Sequence, residues 1–292
     1  MKFKGILPAL VTPVKEDRTL NVPALEKLVE DLIAQGADGF YVGGATGEGV
    51  VLDAEVHKAL TRETVRIVRG RCPIIVHVAR MNNHEMIELA KYAEGQGVDA
   101  ISAIPPIFYK YGDDGIYQYY KELADSVNLP VIIYNNPNTG VTFTHTLLDR
   151  LFSIKNITGI KWTNYDFAAV MQFKSRFPEA NVISGPDEVM LQGLAAGCDA
   201  AIGTTYNFVL PLAKRIYNAF VAGDIKSAMK DQTQLALVVQ ALLSNQGLMA
   251  SRVILKHQGY EGFATPHFPM VPFSEKEEND LLELLRKAGM EI

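Results

Sequence analysis

Short apolar segments rich in Val and Ile alternate with longer segments of helical apolar spacing along most of the chain, and this alternation limits the possible folds most strongly. Strands that alternate with helices are typical of a parallel sheet covered by helices. Eight such units favour closure into a (β/α)₈ barrel. The predicted strands are Gly5–Pro13, Gly39–Gly44, Pro73–Ala79, Asp99–Pro105, Pro130–Asn136, Thr158–Thr163, Asn181–Pro186 and Asp199–Thr204.

The alternation stops after the eighth unit, and the remaining segments look helical with no strand between them. They are Ile225–Ser244, Ala250–Lys256 and Ser274–Ala288. No Gly-, Ser- or Pro-rich linker separates them from the barrel. We therefore predict one α/β domain over residues 1–292, with the barrel at about 1–222 and a helical C-terminal extension at about 223–292.

Composition argues against several classes of partner. The net charge is −5, and Lys and Arg are scattered rather than clustered, so we expect neither nucleic acid nor an anionic membrane surface. No apolar stretch reaches the roughly 18 residues of a membrane span, and the first residues are unlike a secretory leader, which predicts a cytoplasmic protein. Cys72 and Cys198 stand far apart without metal-ligand spacing, so no metal is expected.

Lys161 is the most informative polar residue, because in a barrel the carboxyl ends of the strands carry the chemistry. Strict alternation places Lys161 with Gly159 and Thr163 on one strand face, opposite Ile160 and Trp162. The large apolar side chains belong against the helices, so Lys161 points into the barrel. Burial favours a neutral amine, which attacks ketones. The alternative is a lysine that is salt-bridged inside the barrel or extends to its mouth.

Two further strand ends carry candidate groups. Tyr134 ends an apolar strand and needs a hydrogen-bond partner, either at the Lys161 site as a proton donor and acceptor or at a backbone carbonyl in the core. The segment GGATGEG, residues 43–49, matches neither GxGxxG nor a Walker sequence. Its backbone N–H groups beside Thr46 suit a small carboxylate, although a tight turn is an equal alternative.

Five segments occur in the order and spacing of the pyruvate-dependent class I aldolases: GGATGEG, IIYNNP, GIKWT, GPDE and AIGTTYN. The chain resembles this family, which includes N-acetylneuraminate lyase and dihydrodipicolinate synthase, over nearly its whole length. The resemblance implies a TIM barrel with a C-terminal helical extension, a homotetramer, and no cofactor or metal. It also implies that Lys161 forms the Schiff base, that Tyr134 is the acid–base residue, and that Ala45 and Thr46 hold the carboxylate of a 2-keto acid such as pyruvate.

The substrate's far end separates the branches of the family. Asp187 and Glu188 resemble the lyase pattern and, with Thr163, Gly185 and Thr204, would hold the hydroxylated tail of a sialic acid. Without the resemblance, a solvated helix N-cap, with Asp187 opening the helix Glu188–Ala196, is the favoured interpretation. The arginine typical of the synthase is absent from residues 137–140.

The resemblance therefore implies retro-aldol cleavage of N-acetylneuraminate to pyruvate and N-acetylmannosamine. The alternatives are an aldolase for another sugar acid, such as 2-keto-3-deoxygluconate, and dihydrodipicolinate synthase. A non-catalytic keto-acid-binding barrel is less favoured, because such a protein has no need of a buried amine.

Two residues depart from the family pattern. Ala45 stands where relatives commonly have Ser or Thr, and Phe108 replaces a common tyrosine. Both changes remove hydroxyls from the proton route to Tyr134. Because water or the substrate carboxylate can replace a hydroxyl in such a route, we predict altered proton delivery rather than loss of activity. His77 has no visible partner in the sequence and is interpreted as a hydrogen-bonded core residue.

Overall fold

A computed structural model describes residues 2–267 and 269–292 of the chain. Eight parallel strands form one sheet in the order β1-β8-β7-β6-β5-β4-β3-β2, and a bridge between Ala9 and Tyr41 joins its two edges into a barrel. The fold is a TIM barrel, as predicted. Its strands are β1 Gly5–Pro8, β2 Phe40–Val42, β3 Ile74–His77, β4 Ala100–Ala103, β5 Val131–Asn135, β6 Ile157–Trp162, β7 Asn181–Ser184 and β8 Ala200–Gly203.

A helix follows each strand, and three more helices follow the barrel, which confirms the predicted extension. The helices are α1 Val22–Ala34, α2 Ala54–Val68, α3 Asn83–Gln96, α4 Asp113–Asp125, α5 His145–Phe152, α6 Phe167–Arg176, α7 Met190–Ala195, α8 Leu210–Val221, α9 Ile225–Leu243, α10 Gly247–His257 and α11 Glu275–Lys287. Among the described residues, no helix is long and apolar enough to cross a membrane.

Seven of the eight strands are shorter than predicted, while β6 keeps the predicted length but begins and ends one residue earlier. The largest difference is in β1, which ends at Pro8 instead of Pro13. Beyond it, the Leu10 amide donates to Tyr41 O and the Thr12 hydroxyl donates to Gly47 O. Ala9 and Leu10 still bond to β8 and β2, and beyond them the chain leaves the ladder to pack over the loop that follows β2. The apolar character of residues 11–14 reflects this burial rather than pairing in the barrel sheet.

A Gly-x-Asp sequence precedes three strands and has a structural function at each. The glycine adopts a left-handed backbone, as at Gly97 with φ +80°. The aspartate then accepts a hydrogen bond from the preceding strand. Asp38 accepts from the Ile6 amide, Asp99 from the Ile74 amide and Asp199 from the Val182 amide, over 2.7–2.9 Å. These carboxylates join neighbouring strands at the amino ends of the barrel.

The strand side chains form two apolar layers. Ile160 and Trp162 belong to the large layer between the barrel and its helices. Tyr134 belongs to the smaller layer inside the barrel, with residues such as Ile132 and Ile183. Because side chains alternate along a strand, Lys161 faces the same interior. The orientation predicted for this strand is confirmed.

Candidate active site

Two connected cavities occupy the carboxyl ends of the strands. The inner cavity, of about 140 Å³, contains Lys161 and Tyr134. The outer cavity, of about 540 Å³, opens between the β7 and β8 loops and the start of α10. The two share Thr163, Gly185, Thr204 and Leu248. A third cavity, of about 300 Å³, lies outside the barrel wall beside α5 and α6 and contains none of the predicted site residues.

Lys161 lies at the floor of the inner cavity, and its side chain is almost fully buried. Its ammonium donates a hydrogen bond to Thr163 Oγ1 at 3.0 Å and lies 3.9 Å from the centre of the Tyr134 ring. Among the described residues no carboxylate lies within 4.0 Å of it. Lys161 is therefore neither salt-bridged nor extended to the solvent, and it is open to a molecule in the cavity.

Tyr134 lies beside Lys161 on the neighbouring strand, where the two residues are paired in register. The hydroxyl accepts a hydrogen bond from Asn136 Nδ2 at 3.4 Å. Burial raises the pKa of Tyr134, but the Lys161 ammonium and hydrogen bonding from Lys161, Thr163 and Asn136 together outweigh it, so the pKa lies below its ordinary value. A tyrosine with a lowered pKa is suited to accept and return a proton.

Two buried rings support Tyr134 from the β2 and β3 side. Tyr41 contacts it edge-on, with ring centres 6.1 Å apart, and His77 does so at 6.0 Å. His77 is hydrogen-bonded to Gly43 O through Nδ1, while its Nε2 accepts from the Ile104 amide, which confirms the interpretation as a bonded core residue. Burial lowers the pKa of His77 to about 3, so the ring is neutral at pH 7.

The loop after β2 forms the opposite wall of the inner cavity. Thr46 Oγ1 lies 2.6 Å from Thr204 Oγ1 at the end of β8, so these hydroxyls are hydrogen-bonded across the barrel mouth. Ala45 is exposed and lines the same cavity. The glycines here are required by packing, since a Cβ on Gly44 would lie 2.3 Å from the Tyr41 ring.

Asp187 is buried in the wall of the outer cavity, where its Oδ2 accepts hydrogen bonds from the amide and hydroxyl of Thr205. Burial raises its pKa to about 6, against the lowering effect of the Thr205 hydrogen bonds. The side chain does not cap its own helix, so the N-cap alternative is wrong. Gly203 makes room for it, since a Cβ there would lie 1.8 Å from Asp187 Oδ1.

Glu188 lies at the outer rim of the same cavity and is only partly buried. Its Oε1 accepts a hydrogen bond from the Tyr165 hydroxyl, which lies on the loop after β6. This hydrogen bond is the main reason that the pKa of Tyr165 is raised to about 12. The contact orients the Glu188 carboxylate beside the cavity.

All nine predicted site residues line the two cavities, while several further lining residues were not predicted. Tyr41 was detectable, because alternation in β2 turns it inward between Phe40 and Val42. Leu248 on α10 and Thr205 beside Asp187 carried no local signal. Their positions depend on how α10 packs and on where the β7 and β8 loops meet.

Comparison with known proteins identifies the family. Residues 2–288 match the model of the dihydrodipicolinate synthetase family. The chain belongs to this family. It is 35% identical over 284 residues to an N-acetylneuraminate lyase of Rhizobium meliloti, covering 97% of this chain and 94% of that protein.

Solved structures extend the similarity to the whole fold. CdNal from Clostridium difficile, in complex with mannosamine, superposes with a TM-score of 0.94 at 30% identity, covering 99% of this chain and all of that one. A dihydrodipicolinate synthase from Bacillus anthracis superposes with a TM-score of 0.93 at 30% identity, covering 98% of both chains. Membership makes the chain an enzyme of the class I aldolase type. Because lyase and synthase fit the fold equally well, the choice between them depends on the cavity.

Proposed function

We propose that this chain is a Schiff-base lyase that cleaves N-acetylneuraminate into pyruvate and N-acetylmannosamine. The observation that carries the proposal is the pairing of two cavities: an inner one with Lys161 beside Tyr134, and an outer one with Asp187 and Glu188. Relatives that carry the name N-acetylneuraminate lyase, including one from Citrobacter koseri at 30% identity, support the same activity.

Lys161 supplies the nucleophile in the proposed reaction. Its neutral amine attacks the 2-keto carbon of the open-chain sugar acid, and loss of water from the resulting carbinolamine gives a protonated imine. The Tyr134 ring, whose centre lies 3.9 Å from the amine, then faces this positive charge and stabilises it. The imine withdraws electrons from the bond two carbons away.

Tyr134 moves the proton that the cleavage requires. The phenolate oxygen takes the proton from the hydroxyl on carbon 4 as the bond between carbons 3 and 4 breaks. The aldehyde form of N-acetylmannosamine leaves, and the bond electrons remain as an enamine on Lys161. Protonation at carbon 3, followed by addition of water to the imine, releases pyruvate and restores the amine.

The loop after β2 supports recognition of the substrate carboxylate. The backbone amides of Ala45 and Thr46 are the proposed donors, with the Thr46 hydroxyl as a third. Since Ala45 and Phe108 supply no hydroxyl, we propose that water or the substrate carboxylate returns the proton to Tyr134.

The outer cavity supports the lyase over its alternatives. Among its described lining residues there is no Lys or Arg, while Asp187 and Glu188 present carboxylates. A second substrate carboxylate, as the synthase requires, would be repelled, whereas the hydroxyls of a polyol are good donors to these oxygens. Val239, Leu242 and Leu248 form an apolar wall suited to an acetamido methyl group. A three-carbon aldehyde from 2-keto-3-deoxygluconate would leave most of this volume unused.

The assembly proposed for the chain is a homotetramer. An exposed aromatic cluster follows β4 and consists of Phe108, Tyr109 and Tyr111, of which Phe108 is 84% exposed. Large exposed apolar groups are typical of contact surfaces, and a second copy of the chain is the proposed partner. A cytoplasmic location stays a prediction.

Pyruvate release from N-acetylneuraminate tests the proposal, with 2-keto-3-deoxygluconate as the parallel substrate and Lys161→Ala as the blank. We expect release from the sialic acid in the wild type alone. Release only from the shorter sugar acid would keep the Schiff-base mechanism but contradict the proposed substrate, and release that persists in Lys161→Ala would contradict the mechanism.

A further inference from the structure

Helix α10 contacts the active site at two places. Leu248, in its first turn, lines both cavities. Arg252, one turn later, is fully buried and reaches the loop that follows β2. Residues four apart share one face of a helix, so the two contacts lie on the same side of α10. The extension is thus part of the wall around the proposed substrate.

Arg252 forms a buried ion pair with Glu48 across a separation of 204 residues. Glu48 belongs to the loop after β2, residues 43–53, which we call the carboxylate loop. Its Nε donates to Glu48 Oε1 at 3.0 Å, and one terminal nitrogen contacts the same oxygen. The remaining donors reach Phe263 O at 3.2 Å and Thr12 O at 3.0 Å. This fork geometry satisfies the guanidinium in a way that a lysine cannot reproduce.

Glu48 has an unusual backbone conformation in the middle of the loop, with φ +57° in the left-handed region. Its second oxygen accepts from the His267 amide at 3.2 Å, so the carboxylate is fixed from two parts of the extension. Thr12 Oγ1 donates to Gly47 O from the other side. Thr46, with the amide and hydroxyl proposed for carboxylate binding, lies two residues before Glu48.

We propose that Glu48 and Arg252 are positioning residues that hold the loop in the geometry that binds the carboxylate of the keto acid. The ion pair does not touch the substrate. The ion pair fixes the loop against α10. Leu248, on the same face of that helix, lines the cavity proposed for the substrate tail. This inference rests on the proposed function, because it assigns the loop to the substrate carboxylate.

The test compares pyruvate with methyl pyruvate, a neutral ester with the same ketone. The rates of borohydride trapping at Lys161 are measured for both, and their ratio reports carboxylate recognition alone. The variants are Glu48→Gln/Arg252→Met, which leaves no buried charge, and Arg252→Lys, which keeps the charge but loses the fork. Lys256→Met is the matched control, because Lys256 lies in the last turn of the same helix, is exposed and pairs with Glu278 instead of the loop after β2.

We expect the pyruvate-to-ester ratio to fall about 10-fold or more in the double variant, since a misplacement of about 1 Å can cost about 10²-fold. The ratio should fall less in Arg252→Lys, and in Lys256→Met it should equal that of the wild type. An unchanged ratio in a folded variant, or an equal loss of both rates, would overturn the proposal. If the double variant does not fold, the ratio in Arg252→Lys tests the proposal: a lowered ratio supports it and an unchanged ratio overturns it. Absence of wild-type trapping would instead contradict the proposed function.

Discussion

At the scale of single residues, Lys161 lies between a hydroxyl and an aromatic ring instead of against a carboxylate. A carboxylate would engage the nitrogen in an ion pair, whereas the Thr163 hydroxyl and the Tyr134 ring leave it open towards the cavity. The ring and the hydroxyl of Tyr134 therefore have separable functions. The ring stabilises the positive charge of the protonated imine, and the hydroxyl transfers the proton during cleavage.

Tyr134→Phe separates these two functions, because it keeps the ring and removes the hydroxyl. We expect kcat for N-acetylneuraminate cleavage to fall about 10²- to 10⁴-fold, the usual contribution of a positioned acid–base group. Borohydride trapping of pyruvate at Lys161 should persist. Loss of trapping together with cleavage would show that the hydroxyl is needed for imine formation itself.

Asp187→Asn tests how much the buried carboxylate lowers the free energy of unfolding. Its pKa is raised to about 6 from 3.8, so between these values the native state keeps a proton that the unfolded chain has released. The free energy of unfolding therefore falls as pH rises through this window, by about 3 kcal/mol in total. Asparagine can still accept from Thr205, so the variant should be more stable at pH 7 and lose this pH dependence in thermal melts.

The same variant should bind the sugar acid more weakly, with KM about 10-fold higher, because a hydrogen bond to a charged group contributes about 1.5–3 kcal/mol. Pyruvate trapping should be unchanged. A variant that lost both sugar-acid turnover and trapping would show that Asp187 is structural.

At the scale of elements, the parallel strands bring together residues that are far apart in sequence. Strands β6 and β7 pair in register, so the β7 loop begins beside the end of β6. This pairing brings together Lys161, Thr163 and Gly185. A Cβ on Gly185 would lie 1.9 Å from Thr163 Oγ1, which is the hydrogen-bond acceptor of Lys161. The glycine thus allows the β6 end to approach the β7 loop.

Gly185→Ala should displace Thr163 and remove its hydrogen bond with Lys161. We expect a loss of about 1–3 kcal/mol in unfolding free energy from overpacking, and slower pyruvate trapping. Gly95→Ala is the control, since a Cβ there meets no atom within 4 Å on an exposed face of α3. It should stabilise the protein by about 0.5–1 kcal/mol and leave trapping unchanged. Equal trapping in both variants would contradict the function given to Thr163.

The sequence predicted the elements whose signal is local, and missed contacts that depend on packing. Alternation in β6 was enough to predict that Lys161 points inward, and the glycines before the strands correctly indicated the helix ends. The start predicted for β1 was correct, but its C-terminal end was wrong, because burial under a loop and pairing in a sheet both produce apolar runs. The Arg252 contact with Glu48 had no local signal, since it depends on how α10 packs across the barrel.

At the scale of the whole molecule, the C-terminal extension and the barrel share buried contacts. Besides Arg252, Gln232 of α9 donates to Asp187 O and accepts from the Leu191 amide. The extension therefore supports both the carboxylate loop and the β7 loop. That barrel and extension form one cooperative domain stays a prediction.

The proposed tetramer should show a solution mass of four times the 32.2 kDa chain in sedimentation. Replacing Phe108, Tyr109 and Tyr111 with Ser should lower this mass, because it removes the exposed aromatic cluster while leaving the barrel core intact. A wild-type monomer would contradict the tetramer. A tetramer that survives the triple replacement would place the contact on another surface.

The proposed mechanism requires Lys161 to form a covalent imine with a 2-keto acid. The decisive experiment is incubation with pyruvate and borohydride, followed by peptide mass analysis. We expect a carboxyethyl group on Lys161, on no other lysine, and none without pyruvate. An unmodified Lys161, in protein that remains folded, would exclude the Schiff-base mechanism.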